Sequence, residues 1–278
     1  MTDTELAVDL HRVIKIYKRG ETEVIALRGI TLEIEAGERA AIVGPSGSGK
    51  STLMNVIGGV TVPTAGRVIV AGEDLSRLSE RGLRAFRRNK VGFMWQHANL
   101  LPDLSIFDCL RLTMHAAGKF RGREVNKRAN MLLEDMGLIK RKKHRIHQLS
   151  GGELQRAALT LSLANDPEII LADEPTGELD EETGKKVMSY LHQVNEEEGK
   201  TLIVVTHSLD VAAQFKRQLT ITDGKLSERK IGIEELLDVD VDGRIILPSH
   251  LLGSDSPNKI AYRVTEEGIQ LLLHTGDD

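Results

Sequence analysis

The chain has 278 residues, 40% hydrophobic and 28% charged, with a formal net charge of -4. This is the profile of a soluble globular protein with room for one large domain and a small appendage, and it carries no global pull toward nucleic acid or anionic lipid. The single cysteine, Cys109, excludes an internal disulfide and fits a cytosol-facing setting.

The N-terminal stretch MTDTELAVDLHR lacks a secretory pattern. Val8 to Tyr17 and Ala26 to Ile34 read as strands, the second closed by the turn Glu35-Ala36-Gly37-Glu38. Arg39 to Val43 is a buried-strand pattern that runs straight into a glycine-rich turn. Ser51 to Gly58 is helical, Arg67 to Val70 a strand and Ala71 to Asp74 a turn. From about Glu80 to Ala164 the pattern becomes helical, clearest over Val125 to Met136 and Gly152 to Leu163. Ile169 to Ala172 and Leu202 to Val205 return to short, wholly apolar strands, as in a parallel sheet covered on both faces. A helix from Glu181 to Glu198 lies between them. These apolar runs are strand-length, far short of the roughly 20 residues of a membrane-spanning helix. The alternation predicts an α/β core carrying a helical insert.

Gly44-Pro45-Ser46-Gly47-Ser48-Gly49-Lys50-Ser51-Thr52 fills the Walker A phosphate-loop pattern between a strand and a helix. Glycines let the backbone wrap phosphates without Cβ clashes, and the amides and the helix start make an anion nest. Lys50 is placed to reach the β- and γ-phosphates, and Ser51 to ligate Mg²⁺. The competing reading is a glycine-rich turn that binds nothing. Downstream, the apolar strand Ile169-Ile170-Leu171-Ala172 ends in Asp173 and Glu174. Adjacent carboxylates at the end of a buried strand call for a cation or hydrogen-bond partners. Asp173 suits Mg²⁺, and Glu174 suits polarising a water.

Leu149-Ser150-Gly151-Gly152-Glu153-Leu154-Gln155-Arg156 resembles the signature of the ATP-binding cassette (ABC) family, and the other motifs follow in that family's order. Gln96, in GFMWQHANLLP, stands where the family has a glutamine that contacts the metal and the attacking water. Asp180 ends the loop EPTGELD after the carboxylate pair. His207, in VVTHS, stands at the switch-histidine position, and Tyr17 at the position of the aromatic that stacks on adenine. The resemblance covers roughly residues 5 to 227. It is nearest to the group of lipoprotein-release and macrolide-export ATPases, on ALRGITLEIEAGE, QHANLLPDLSIFDCL and ADEPTGELD. Trp95, Glu178 and His147 depart from that group, which more often has Phe, Asn and Pro there.

The resemblance implies a P-loop NTPase fold over residues 1–227, a RecA-like core with an antiparallel β subdomain and a helical signature subdomain over about 96–164, followed by a small β-rich extension. It implies ATP and Mg²⁺. Lys50, Gln96, Glu174 and His207 are the implied catalytic residues, and Ser51, Gln96 and Asp173 the implied metal ligands. Tyr17, the loop from Gly44 to Thr52 and Asp180 would bind nucleotide. Ser150, Gly151, Gly152 and Glu153 would close over ATP held by a second, head-to-tail copy. The implied partner is a membrane permease on separate chains, received by the helical segment from Gln96 to about Ala117. The implied location is the cytoplasmic face of the membrane. Two alternatives stay open: a regulator that moves a membrane complex without transport, and a soluble ABC ATPase acting on DNA or ribosomes.

The basic run Lys140 to Arg145 reads as a solvated turn, with a lipid-headgroup contact as the second reading. Met94, Met131, Met136 and Cys109 read as core packing. Residues 228–278 weakly resemble a swapped-hairpin module of bacterial transition-state regulators, reading strand, turn, strand, short helix, strand, turn, strand. Their acids outnumber their bases, which argues against nucleic-acid binding and for a dimerisation or regulatory appendage.

Overall fold

Three sheets and seven α-helices make up the described part of the chain. The computed structural model describes residues 5–20, 22–96, 100–177, 179–229, 261–265 and 268–272. The chain divides into two units, Met1–Ile231 and Gly232–Asp278.

In the first unit, β1 (Leu6–Arg19) and β2 (Thr22–Glu35) form a long antiparallel pair. With β4 (Ala65–Val70) and β5 (Glu73–Asp74) they make a four-stranded sheet of order β2-β1-β4-β5. Glu73 and Asp74, expected within a turn, pair with Val70 and Ile69, so the turn itself is only Ala71-Gly72.

The second sheet has the order β10-β9-β3-β8-β7-β6. Its strands are β3 (Arg39–Val43), β6 (Val91–Met94), β7 (Ile169–Asp173), β8 (Thr201–Thr206), β9 (Arg217–Thr222) and β10 (Lys225–Arg229). All pair in parallel except the edge strand β10. Every residue of β7 and β8 is buried, which explains their unbroken apolar runs. The pleat sends alternate residues to opposite faces. Ile42, Leu171, Ile203 and Val205 join one core with the antiparallel sheet, while Ala41, Ile170, Leu202 and Val204 join another with the helical part.

The helices are α1 (Lys50–Ile57), α2 (Glu80–Lys90), α3 (Ile106–Ala117), α4 (Arg123–Asp135), α5 (Gly151–Ser162), α6 (Glu181–Glu198) and α7 (Leu209–Ala212). Ser79, Ser105, Ser150, Asp180 and Ser208 each cap a helix through a side-chain oxygen that accepts a backbone N–H. Such a cap is worth about 1 kcal/mol. The segment expected to be helical from Gln96 begins its helix only at Ile106, because Val91–Met94 is a strand and Ser105 is the residue that caps α3. The expected domain boundary after residue 227 falls inside β10.

Met94 and Met136 are buried and so is Cys109, but Met131 is 45% exposed and lies outside the core. It sits on the outward face of α4, whose buried positions are Val125, Ala129, Leu132 and Leu133. The basic run is only partly a solvated turn. The carbonyls of Lys142 and His144 accept the N–H groups of Phe107 and Ile106. Lys142 also donates to Asn130 and lies over the Phe107 ring.

A charged cluster ties the helical part to the core. Asp166, at φ 52, receives Lys119 at 2.8 Å and Lys200 at 2.5 Å, with Arg128 at 4.0 Å. Arg128 also donates to the carbonyls of Leu163 and Ala164. Burial pushes the Asp166 carboxyl up, but the Lys119 and Lys200 hydrogen bonds prevail and bring it down to about 2.

The second unit contributes one described hairpin, β11 (Ala261–Thr265) and β12 (Gly268–Leu272), paired antiparallel from Ala261 with Leu272 to Thr265 with Gly268. The earlier strands and short helix expected at 228–260 lie outside the described residues, apart from the end of β10.

Candidate active site

The parallel register brings the ends of β3, β7 and β8 to one edge of the sheet, and the candidate residues extend from those ends. After Val43 the chain turns into Gly44, whose φ of 157 and surroundings exclude a side chain: an added Cβ would lie 2.2 Å from the Ile221 carbonyl oxygen. Gly49, at φ 111, would meet the Ala26 carbonyl at 2.6 Å. The loop is therefore drawn against its surroundings in a way only glycine permits. The turn after β9 holds it there, since Gly224 N–H donates to the Ser48 carbonyl and Arg28 N–H to the Gly224 carbonyl. Beside it lies an open cleft of about 550 Å³ lined by Ala26, Arg28, Gly47, Asp223 and Lys225 among others.

Lys50 starts α1 and curls back over the loop, with Nζ donating to the carbonyls of Gly44 at 2.8 Å and Pro45 at 2.9 Å. The Ser48 hydroxyl is buried with no protein partner. Ser51, next on α1, lies close enough to the Asp173 carboxyl to favour its charged form. Asp173 is buried, and its carboxyl is pushed up by burial first and by the neighbouring Glu174 charge second, against Ser51 and Lys50. A buried carboxylate with a hydroxyl near it, beside an anion nest, suits a hard divalent cation, so these residues fit Mg²⁺.

Glu174 comes next at φ 47, a conformation uncommon for a non-glycine residue. Its N–H donates to the Val205 carbonyl. One carboxylate oxygen, Oε1, accepts the His207 N–H at 2.9 Å and lies 2.7 Å from His207 Nδ1. The other, Oε2, accepts the Thr206 hydroxyl at 3.1 Å. The Glu174 side chain is 11% exposed and that of His207 73%.

The other expected residues lie on separate elements. Gln96 is exposed just past β6, next to Trp95, whose ring stacks on Phe93 with centroids 4.1 Å apart. Tyr17 is exposed on β1 with Lys15 Nζ 5.0 Å from its ring centre. Asp180 caps α6, and the Thr183 N–H holds its carboxyl below the usual range. Ser150 caps α5 in a reciprocal pair with Glu153, whose carboxylate accepts the Ser150 N–H at 2.9 Å and Arg141 at 2.8 Å. Those two bonds hold the Glu153 carboxyl low. The structure thus joins Glu174 and His207 directly and sets Lys50 and Ser51 near the adjoining Asp173. Thr206, which the motifs did not single out, belongs with them; its place in VVTHS beside the histidine was the available signal.

A strand, a glycine loop and a helix facing a second strand that ends in carboxylates, all in a parallel sheet, define a P-loop nucleoside triphosphatase. The ABC transporter family model matches residues 27–177. An ABC transporter ATP-binding protein of Thermotoga maritima is 46% identical over 219 residues, 79% of this chain and 93% of that protein. The lipoprotein-releasing system ATP-binding protein LolD 1 of Caulobacter vibrioides is 41% identical, covering 79% of this chain and 94% of that protein. The ATP-binding cassette MJ0796, solved as a dimer in a post-hydrolysis state with ADP and Pi, superposes with a TM-score of 0.77 at 42% identity, over 81% of this chain and 98% of that one. This chain belongs to the ABC transporter family and is an ATP-binding cassette ATPase. Among the described residues no helix is long and apolar enough to cross a membrane.

Proposed function

We propose that this chain is the motor subunit of a membrane transporter, acting at the cytoplasmic face as a head-to-tail homodimer beneath a permease carried on other chains. The observation that carries the reading is the Glu174 carboxylate, fixed between β7 and β8 next to the Lys50–Ser51–Asp173 cluster. The relatives' names support the transport setting, and the dimeric MJ0796 cassette supports the pairing.

Phosphoryl transfer depends mainly on positioning and charge neutralisation. In this reading the amides from Gly44 to Thr52 and the Lys50 ammonium hold the β- and γ-phosphates, and Tyr17 stacks on adenine. Ser51, Gln96 and Asp173 hold Mg²⁺, which neutralises phosphate charge when bound. Glu174 orients the attacking water and accepts its proton, and His207 contacts the γ-phosphate. Ser150 accepts the Glu153 N–H through its oxygen, so its O–H proton is free to donate across the dimer seam. Gly151, Gly152, Glu153 and Asp180 line the same seam. The region from Gln96 to Ala117 receives the permease, and residues 228–278 form a dimerisation or regulatory appendage without a nucleic-acid partner.

Glu174→Gln is expected to lower steady-state ATP hydrolysis by about 10²–10⁴-fold, the usual worth of a positioned general base, and to trap an ATP-bound dimer. Near-wild-type turnover would overturn the assignment of the base. Affinity purification from membranes is expected to bring down an integral membrane protein. Enrichment of ribosomes or DNA instead would overturn the transport reading.

A further inference from the structure

We infer that Thr206 is a positioning residue for hydrolysis, holding the Glu174 carboxylate in place through its side-chain hydroxyl; this rests on Glu174 being the base.

Thr206 is the last residue of β8 and is 1% exposed. Its hydroxyl makes two bonds of opposite sense. It donates to Glu174 Oε2 at 3.1 Å and accepts the Ser208 N–H at 3.0 Å. Because Ser208 N–H occupies the oxygen's acceptor side, the hydroxyl proton is directed toward the carboxylate. A hydroxyl has one proton to give, and the geometry commits it to Glu174.

The other partners of the carboxylate are unequal. His207 Nδ1 belongs to a ring on an exposed side chain that can turn about its own torsions. The His207 N–H and the Thr206 hydroxyl are fixed to the end of β8, which pairs along its length with β3 and β7. Each carboxylate oxygen therefore has one anchor on the strand: His207 N–H for Oε1 and Thr206 Oγ1 for Oε2. With both in place, rotation about the terminal torsion of Glu174 is blocked whichever way the imidazole points. An ionised carboxylate offers about four acceptor sites. The two strand anchors take one site on each oxygen, and Thr206 fixes the direction in which the remaining site on Oε2 faces. Loss of the hydroxyl would leave a carboxylate held at one oxygen only, and small errors in aim are costly where a water must be lined up for attack.

The test compares Thr206→Val, Thr206→Ser and wild type in ATP hydrolysis by the full chain, with nucleotide binding measured alongside. Valine keeps the shape and removes the hydroxyl. It is expected to lower kcat by about 10-fold or more, as for loss of a hydrogen bond to a charged group, with KM and nucleotide affinity for ATP within about twofold of wild type. Serine is expected to restore most of the loss. If valine lowers thermal stability, Thr206→Ala against Thr206→Ser is the decisive pair, since the two leave the same space and differ in the hydroxyl alone. A kcat for valine or alanine equal to that for serine overturns the inference, as does a loss confined to KM. Glu174→Gln separates the two levels: if it abolishes turnover while Thr206→Val does not lower it, only the Thr206 inference fails. If Glu174→Gln itself turns over normally, the underlying assignment fails.

Discussion

Asp166→Asn removes one charge from the cluster that fastens the helical part to the sheet, and it does so without new backbone strain. Asn accepts the left-handed conformation at φ 52 about as readily as Asp. The carboxyl titrates near 2 instead of 3.8. At about 1.4 kcal/mol per unit, that difference corresponds to between 2 and 3 kcal/mol at neutral pH. The side chain is 34% exposed, and solvent screening reduces the figure to about 1–1.5 kcal/mol. Lys200, at 14% exposure, would keep only Glu198 at 3.8 Å as an anionic partner, with a neutral amide oxygen in place of the carboxylate, so a net loss of about 1–2 kcal/mol is expected. For a domain of this size that lowers Tm by roughly 3–6 °C. Because the folded carboxyl is the stronger acid, its contribution is complete above the unfolded value of 3.8 and disappears as pH falls toward about 2. Denaturant titrations of both proteins from pH 7 downward measure this. The gap between them should be widest at neutral pH, narrow below about pH 4 and close toward pH 2. A gap under about 0.5 kcal/mol at pH 7, or one that persists undiminished at low pH, would refute the argument.

Trp95 is the only tryptophan in the sequence and stands beside Gln96, so ATP with Mg²⁺ is expected to change its emission. In Lys50→Ala the titration should shift to about 10–100-fold higher ATP, as for loss of a charge-assisted bond to phosphate; an unshifted curve would contradict the phosphate-loop role. Deleting the second unit, residues 232–278, is expected to leave that titration unchanged and to weaken self-association without nucleotide. Equal mass by light scattering at matched concentration would remove the dimerisation role.

What was legible in the sequence is what chemistry forces into short range. The phosphate loop must be contiguous because one turn of backbone does the wrapping, and Asp173-Glu174 must close a strand because the sheet edge is where the site lies. Glu181–Glu198 was readable end to end, because Asp180 caps it, Gly199 stops it and Val187, Leu191 and Val194 recur at helical spacing. Val91–Met94 was not, being four residues with a glycine directly after a basic helix. It is a strand because β7 pairs with it. The Asp166 cluster was invisible for a different reason. Lys119, Arg128, Asp166 and Lys200 are ordinary surface residues at wide separations, and only the packing of α3, α4 and the sheet brings them together. Met131 is exposed, and helical spacing alone does not say which side of α4 faces inward. Thr206 carries no motif of its own beside the histidine, and its place depends on where Glu174 points.

The six-stranded sheet lies between two cores and contributes side chains to each. The helical part packs through residues such as Leu110, Leu133 and Leu159 on one side, and the antiparallel sheet through Leu10, Leu32 and Val68 on the other. Such an arrangement is expected to come apart in stages, with amides of α3 and α4 exchanging with solvent through an opening that spares β1, β2 and β4. The sheet itself is common to both, so its amides are released only when the whole unit unfolds. The edge of β7 and β8 that carries Glu174 and Thr206 is therefore expected among the most slowly exchanging backbone of the first unit, and the helical part to loosen before it.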